Sequence, residues 1–200
     1  MKTITIGLKG LVLAAGCLAL LSCNPIENTT QSSTMLIIEN MTGLAQDGTK
    51  ANYLESDVIT IDVNGNASVY EDPAIVTFGA KLLNPSSTLG PSQYNDILVN
   101  RYVVHYIRAD GRNREGVDVP YSFEGSLSTL VKVDSSTEVS FVIVRAAAKL
   151  EPPLLNLASG RGEGEIQVTA QVDFYGHDMM NNNVHATGYL AIYFADWVDR

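Results

Sequence analysis

The chain reads as an all-β protein: an antiparallel β-sandwich of about nine strands with long loops. Three observations predict this class. Apolar and polar residues alternate at period two, most regularly over the last forty residues. Turn signals such as Asp47-Gly48, Asn64-Gly65, Asn84-Pro85 and Asp110-Gly111 separate the short apolar runs. No segment carries the 3.6-residue period of an amphipathic helix. Short alternating strands with turn punctuation between them form sandwiches or barrels.

The N-terminus has a different texture. Lys2 and Lys9 precede Gly10 to Leu21, twelve residues without a charge. That run fits the apolar core of an export signal and is shorter than the roughly 20 residues a membrane-spanning helix needs. It ends in Leu20-Leu21-Ser22-Cys23. These four residues resemble a bacterial lipobox, in which a signal peptidase cuts before a lipid-modified cysteine. The resemblance implies a signal peptide over 1–22 and multiple acylation of Cys23. Each buried methylene contributes ~0.8 kcal/mol, and stable anchoring takes more than one acyl chain. A second candidate, Ala14-Ala15-Gly16-Cys17, leaves only about one turn of apolar residues after Lys9, so Cys23 is preferred. The residue after it is Asn24 and not the Asp that often retains proteobacterial lipoproteins in the inner membrane. The resemblance therefore implies a lipid-anchored protein of the bacterial cell envelope, at the outer membrane.

Asn24 to Thr34, NPIENTTQSST, is polar and aperiodic and reads as a tether. Eleven flexible residues have an r.m.s. reach of about 18 Å. The sandwich is expected over 35–200. Met35 to Ile38 is its first strand, followed by a long polar loop through Ser56. Ile59, Ile61 and Val63 alternate with Thr60 and Asp62, and Asn64-Gly65-Asn66 turns the chain. Val76, Phe78, Ala80 and Leu82 form the inward side of another strand. It ends at Asn84-Pro85, because proline cannot donate to a ladder. Ile97 to Ala109 is apolar on both faces and belongs in the middle of a sheet. Val117 to Phe123, Leu127 to Val133 and Val139 to Val144 are further strands. Glu151-Pro152-Pro153 stops any helix that Ala146-Ala147-Ala148 begins.

The clearest pattern comes last. Ile166, Val168, Ala170, Val172 and Phe174 alternate with Gln167, Thr169, Gln171, Asp173 and Tyr175. Val184, Ala186, Gly188, Leu190, Ile192 and Phe194 alternate with His185, Thr187, Tyr189, Ala191 and Tyr193. The two runs predict a hairpin with one buried face. Tyr102 to Gly111, YVVHYIRADG, resembles a mid-domain strand and turn of fibronectin-type or immunoglobulin-like modules. That likeness covers one strand and implies only the sandwich architecture. At more than the ~100 residues of such a module, the domain is expected to be an elaborated sandwich.

Composition excludes several function classes. The chain has 13 basic and 22 acidic residues among 200, a net charge of −9. Loss of residues 1–22 removes two lysines and no acid, which leaves 178 residues and a charge of −11. Phosphate backbones need Lys and Arg, so nucleic acid is not an expected partner. The two cysteines are Cys17 and Cys23. One leaves with the signal and the other takes lipid, so no disulfide or thiolate metal site is expected. The fold rests on burial alone, and a domain of this size buries ~70% of its unfolded surface.

Four groups of residues carry candidate chemistry. Tyr175, Tyr189 and Tyr193 share the outer face of the last hairpin, with Trp197 just beyond. Aromatics on a polar face stack on sugars or anchor protein partners. Arg108, Arg112 and Arg114 form a candidate anion loop, although Asp110, Glu115 and Asp118 interleave with them and favour local ion pairs. His177 and His185 face the polar side by parity. Pairing them across the loop puts Tyr175 opposite Thr187 and Asp173 opposite Tyr189, with Asp178 as a third metal ligand. No recognised His spacing supports that site. Asp62, Asn64, Asn66 and Glu71 approximate a calcium loop, but Ala67 and Pro73 stand where glycine and the bidentate Glu belong. No metal, cofactor or catalytic residue is expected. The expectation is a membrane-anchored binding or structural domain with an envelope protein or glycan partner. The alternatives are a polysaccharide-active enzyme with two carboxylates, or a subunit of an envelope assembly.

Overall fold

The strands stack as two sheets with a common apolar interior. The structure, a computed structural model, describes residues 32–45, 47–87, 90–158 and 164–197. The signal segment, Cys23 and most of the tether lie outside the described residues. Eleven strands are present: β1 Thr34–Leu44, β2 Lys50–Ala51, β3 Tyr53–Asp57, β4 Thr60–Ile61, β5 Ala67–Ser68, β6 Asp72–Leu82, β7 Ile97–Ile107, β8 Phe123–Val131, β9 Ser136–Val144, β10 Glu165–Asp178 and β11 Asn183–Ala195. One sheet has the order β2-β1-β6-β9 and the other β3-β11-β10-β7-β8, with β4-β5 a separate ribbon. All pairings are antiparallel except β11 with β3. The expected all-β sandwich is therefore the fold.

Several boundaries differ from the sequence reading, each for a physical reason. The first strand is eleven residues long and not four. A bulge between Ile38 and Asn40 shifts its phase by one. Leu36 faces inward before the bulge, and Met41 and Gly43 face inward after it. A period-two pattern broken by one residue reads as loop. Ser32 and Thr34 are buried, so the described end of the tether belongs to the domain. Val117 to Pro120 is a turn and not a strand: the Arg114 carbonyl accepts the N–H groups of Val117, Asp118 and Val119. Only Thr60–Ile61 of the expected Ile59–Val63 strand pairs. The Asp62 carboxylate accepts the N–H groups of Asn64 and Asn66 and closes the chain into a turn. That carboxylate is used by its own loop. Two short helices were not expected, α1 Ala146–Lys149 and α2 Leu154–Ala158. They flank a cis Pro152-Pro153 bond, so the prolines do interrupt helix, as anticipated.

The hydrophobic core has an aromatic centre. The Phe174 ring meets Phe78 at 4.9 Å and 86°, Phe141 at 5.2 Å and 84°, and Tyr102 at 6.2 Å. These residues come from β10, β6, β9 and β7, so one ring bridges both sheets. Edge-to-face contacts of this kind add ~0.5–1.5 kcal/mol each beyond burial. Tyr106 reaches across from β7 and donates to the Ile143 carbonyl at 2.7 Å, which satisfies its hydroxyl.

A buried polar cluster lies beside this core. Lys149, on α1, is 1% exposed. Its Nζ lies 3.0 and 2.9 Å from the two Asp72 oxygens and donates to the Asp57 carbonyl at 2.7 Å. Ser56 Oγ donates to the other side of Asp72 at 2.5 Å. The cluster ties α1 to the end of β3 and the start of β6.

Candidate functional site

The outer face of the five-stranded sheet holds the site. Strand alternation sends Phe174 and Val172 into the core, so Gln171, Asp173 and Tyr175 project from the opposite face of β10. The register sets their neighbours. Gln171 pairs with His105 on β7 and Tyr189 on β11; Asp173 pairs with Val103 and Thr187; Tyr175 pairs with Arg101 and His185. The expected pairing of the hairpin is thus off by two residues. His185 faces Tyr175, and His177 faces Asn183. The connection between the two strands is a tight turn because the Asp178 carboxylate accepts the Met180 and Asn182 N–H groups at 2.9 Å.

Asp173 is the centre of a converging network. It is only 8% exposed although it lies on an outer face. Oδ1 accepts Thr187 Oγ1 at 2.6 Å and faces His185 Nε2 at 3.3 Å. Oδ2 accepts Gln171 Nε2 at 3.1 Å and lies 4.0 Å from His105 Nε2. His105 Nδ1 lies 2.9 Å from Ser122 Oγ, and Ser122 in turn donates to Glu115. Burial raises the Asp173 carboxyl, but hydrogen bonds from Thr187, Gln171 and His185 outweigh it, so it titrates below the ordinary carboxylate range. Asp178 behaves in the same way: burial raises it, and Asn182, Ser32 and Met180 together bring it below that range.

These directions set a pH dependence. A carboxylate with a depressed folded-state pKa stabilises the protein above its unfolded value, near 3.9, and loses that contribution as pH falls through the folded value. The contribution of these two groups to the denaturation midpoint is therefore expected to hold from neutrality to about pH 4 and to drop below it. Asp173→Asn and Asp178→Asn should each flatten that acid limb. A limb unchanged in both variants would remove these two groups from the account.

Aromatic side chains border the cluster. Tyr189 is 61% exposed and stands beside Gln171 in the register. Tyr175 stacks obliquely on His185 at 4.9 Å and carries the Arg101 guanidinium 4.0 Å above its ring. Asn100, Arg101, Tyr175, His177 and His185 line a shallow hollow of about 440 Å³. Further along, Tyr193 packs edge-on against Tyr53 at 5.8 Å, beside a smaller hollow of about 180 Å³. Trp197 lies past the end of β11, its N–H donating to Asp57 at 3.1 Å. Three of the four aromatics singled out from the sequence therefore share one sheet face, and Trp197 sits at its end.

The other candidates are arranged differently. Arg108 grips Asp110 through Nε and Nη2 at 3.1 and 2.8 Å, and Arg112 Nε reaches the same carboxylate at 2.9 Å. Arg114 pairs with Asp118 at 3.0 Å. These guanidiniums hold carboxylates of their own loop. His177 Nδ1 faces the Asp178 carbonyl at 3.0 Å, and the register places it diagonal to His185 and not directly opposite, with Asn183 across from it. Among the described residues no group of three or more His, Cys, Asp or Glu side chains is arranged to hold a metal ion.

Ser122, His105 and Asp173 line up in the order of a hydrolytic triad, but the details oppose that use. The Ser122 hydroxyl donates to Glu115, which directs its hydrogen away from His105 Nδ1. The 4.0 Å between His105 and Asp173 exceeds a hydrogen bond.

The network itself was missed in the sequence, since His105 and Asp173 come from separate strands and Ser122 from the loop before β8. One signal was available. Aspartate is depleted in strands, and Asp173 lies within the alternating run that forms β10. No family model matches this chain, and no curated protein matches it.

Proposed function

We propose that this is a lipid-anchored protein of the bacterial cell envelope whose sandwich binds a partner and does no chemistry. Cys23 carries the anchor, and the outer face of the five-stranded sheet takes a glycan. The observation that carries the reading is the polar cluster built on Asp173 beside the exposed Tyr189. A sugar ring offers hydroxyls on its edge and C–H groups on its faces. Gln171 and His185 supply donors and acceptors for the edge, held in place by the buried Asp173 carboxylate. Tyr189 supplies a flat surface for the faces, at low entropic cost because a tyrosine has only two side-chain torsions, whereas the Tyr175 ring is already covered by Arg101 and His185. Tyr193 extends the platform along β11, and Trp197 closes its end. The network that holds Asp173 keeps the polar atoms in place before a ligand arrives, which lowers the ordering cost of binding.

One experiment tests both halves. Wild-type protein, Cys23→Ser and Tyr189→Ala are expressed in a bacterial host, fractionated with detergent and presented with solubilised envelope polysaccharide. Cys23→Ser is expected to leave the lipid fraction. Tyr189→Ala is expected to stay there and bind polysaccharide about 30-fold more weakly, the loss of a binding hot spot worth about 2 kcal/mol. Undiminished capture by Tyr189→Ala discards the glycan face. Retention of Cys23→Ser in the lipid phase discards the anchor.

A further inference from the structure

The pole of the sandwich at which the chain enters carries a second surface. The Ser33 carbonyl accepts the Leu83 N–H at 2.9 Å, and Asn95 Nδ2 donates to Ser33 Oγ at 2.8 Å. The Met179 N–H donates to the Asp96 carbonyl at 3.1 Å. These bonds gather the start of β1, the loop after β6, the 3-10 turn Gln93–Asn95 and the β10–β11 turn at one end. Ser33, Leu82, Leu83, Asn84, Tyr94 and Met180 line a single hollow there, of about 350 Å³. Its apolar side chains face solvent: Met180 is 67% exposed, Tyr94 59% and Leu83 52%. Scattered exposed apolar residues need no explanation, but a contiguous group with a tyrosine among them does.

We propose that this pole rests on the surface of the lipid bilayer, with Leu83, Tyr94 and Met180 set into the headgroup boundary. The inference rests on the lipid at Cys23. Eleven Cα–Cα steps separate Cys23 from Thr34, a span of at most about 40 Å when fully stretched. β10 alone, at 14 residues, is about 46 Å long. The anchor therefore brings this pole, and not the opposite one, to the membrane.

Charge agrees with the placement. The chain is strongly acidic, and exposed carboxylates would repel anionic headgroups. At this pole Asp134 is paired with Lys81 at 3.0 Å, Asp96 accepts the Val133 N–H at 3.1 Å, and Asp178 is 1% exposed within its own turn. Tyrosine and methionine suit an interface in which one end of a side chain is wet and the other is not. A sandwich seated this way stands on end, with the Asp173 face turned along the membrane normal and open to the envelope space.

The test uses the full lipidated chain in vesicles of phosphatidylethanolamine and phosphatidylglycerol. Since Cys17 and Cys23 are the only cysteines, the processed lipoprotein has no free thiol, and a single introduced cysteine takes an environment-sensitive fluorophore. Probes are placed by Met180→Cys and Tyr94→Cys, with Val117→Cys at the opposite pole as the control. All three positions are exposed, so the fold tolerates the change. Nitroxide-bearing lipids are expected to quench most of the emission at 180 and 94 and little at 117. Vesicle-bound protein with an unquenched probe at 180 overturns the inference and leaves the anchor standing. Protein that fails to bind vesicles and takes label at Cys23 overturns both. A probe at 180 that is already shielded in detergent, at the mass of a dimer, assigns the pole to a second copy and overturns the bilayer contact.

Discussion

Lys149→Met is expected to lower the stability of the sandwich by about 3–5 kcal/mol, the cost of removing one partner from a buried ion pair. The substitution keeps the length and apolar stem of the side chain. It removes the ammonium that faces both Asp72 oxygens and the Asp57 carbonyl. Asp72 would then be left with Ser56 as its partner in the cluster. Urea denaturation followed by tyrosine and tryptophan fluorescence measures the change in midpoint. A double variant, Lys149→Met with Asp72→Leu, removes the orphaned carboxylate as well and should recover most of the loss, because an apolar pair of similar volume often matches a buried ion pair. A loss under about 1 kcal/mol in the single variant would mean that the lysine is hydrated. Burial raises the Asp72 carboxyl more than Lys149 and Ser56 lower it. Its titration therefore runs opposite to that of Asp173: its contribution is present below the ordinary carboxylate pKa and is lost as pH rises through the raised value.

Phe174→Ala has an expected cost of similar size, about 3–5 kcal/mol. The ring is fully buried and touches Phe78, Phe141 and Tyr102, which belong to both sheets. No single neighbour can relax into the space, since each is held by a different strand. For a domain of this size that cost moves the melting temperature down by about 10 °C or more. Phe174→Leu, which refills much of the volume, should recover over half of it. The same substitution reaches the proposed glycan face. Asp173 and Tyr175 flank Phe174 in the chain and project the other way. A loosened β10 would blur the geometry around Asp173 before the domain unfolds. Weaker polysaccharide binding by folded Phe174→Leu protein checks this coupling. A thermal shift of only 1–2 °C in Phe174→Ala would show that the aromatic cluster is not the centre of the core.

Much of this organisation was legible from residue order, and the places where it was not share causes. The last hairpin was readable because its buried face is an unbroken series from Ile166 to Phe174 and from Val184 to Phe194. Its register was not. Alternation states which side chains lie inward, but a shift of two residues preserves inward and outward faces. The turn decided it, through Asp178 accepting two N–H groups of the loop. β1 was cut short in the reading because a single bulged residue at Glu39 reverses the phase. Lys149 sits between Ala148 and Leu150 with nothing local to distinguish it from a surface lysine. Its burial depends on α1 folding onto β3 and β6, which are 77 to 92 residues away in the chain.

Taken alone, the order of residues determined the all-β class, the apolar face of nearly every long strand and the net acidic charge. These are local quantities: period, charge and punctuation are read within a window of ten residues. The tertiary structure alone decided that His105, Gln171, Asp173, His185 and Thr187 meet on one face, that Lys149 is buried, and that Leu83, Tyr94 and Met180 share a pole. Each of these depends on which strand lies beside which and in what register. That choice is made by the packing of the two sheets around Phe174 and by turn hydrogen bonds, and it leaves no periodic trace along the chain.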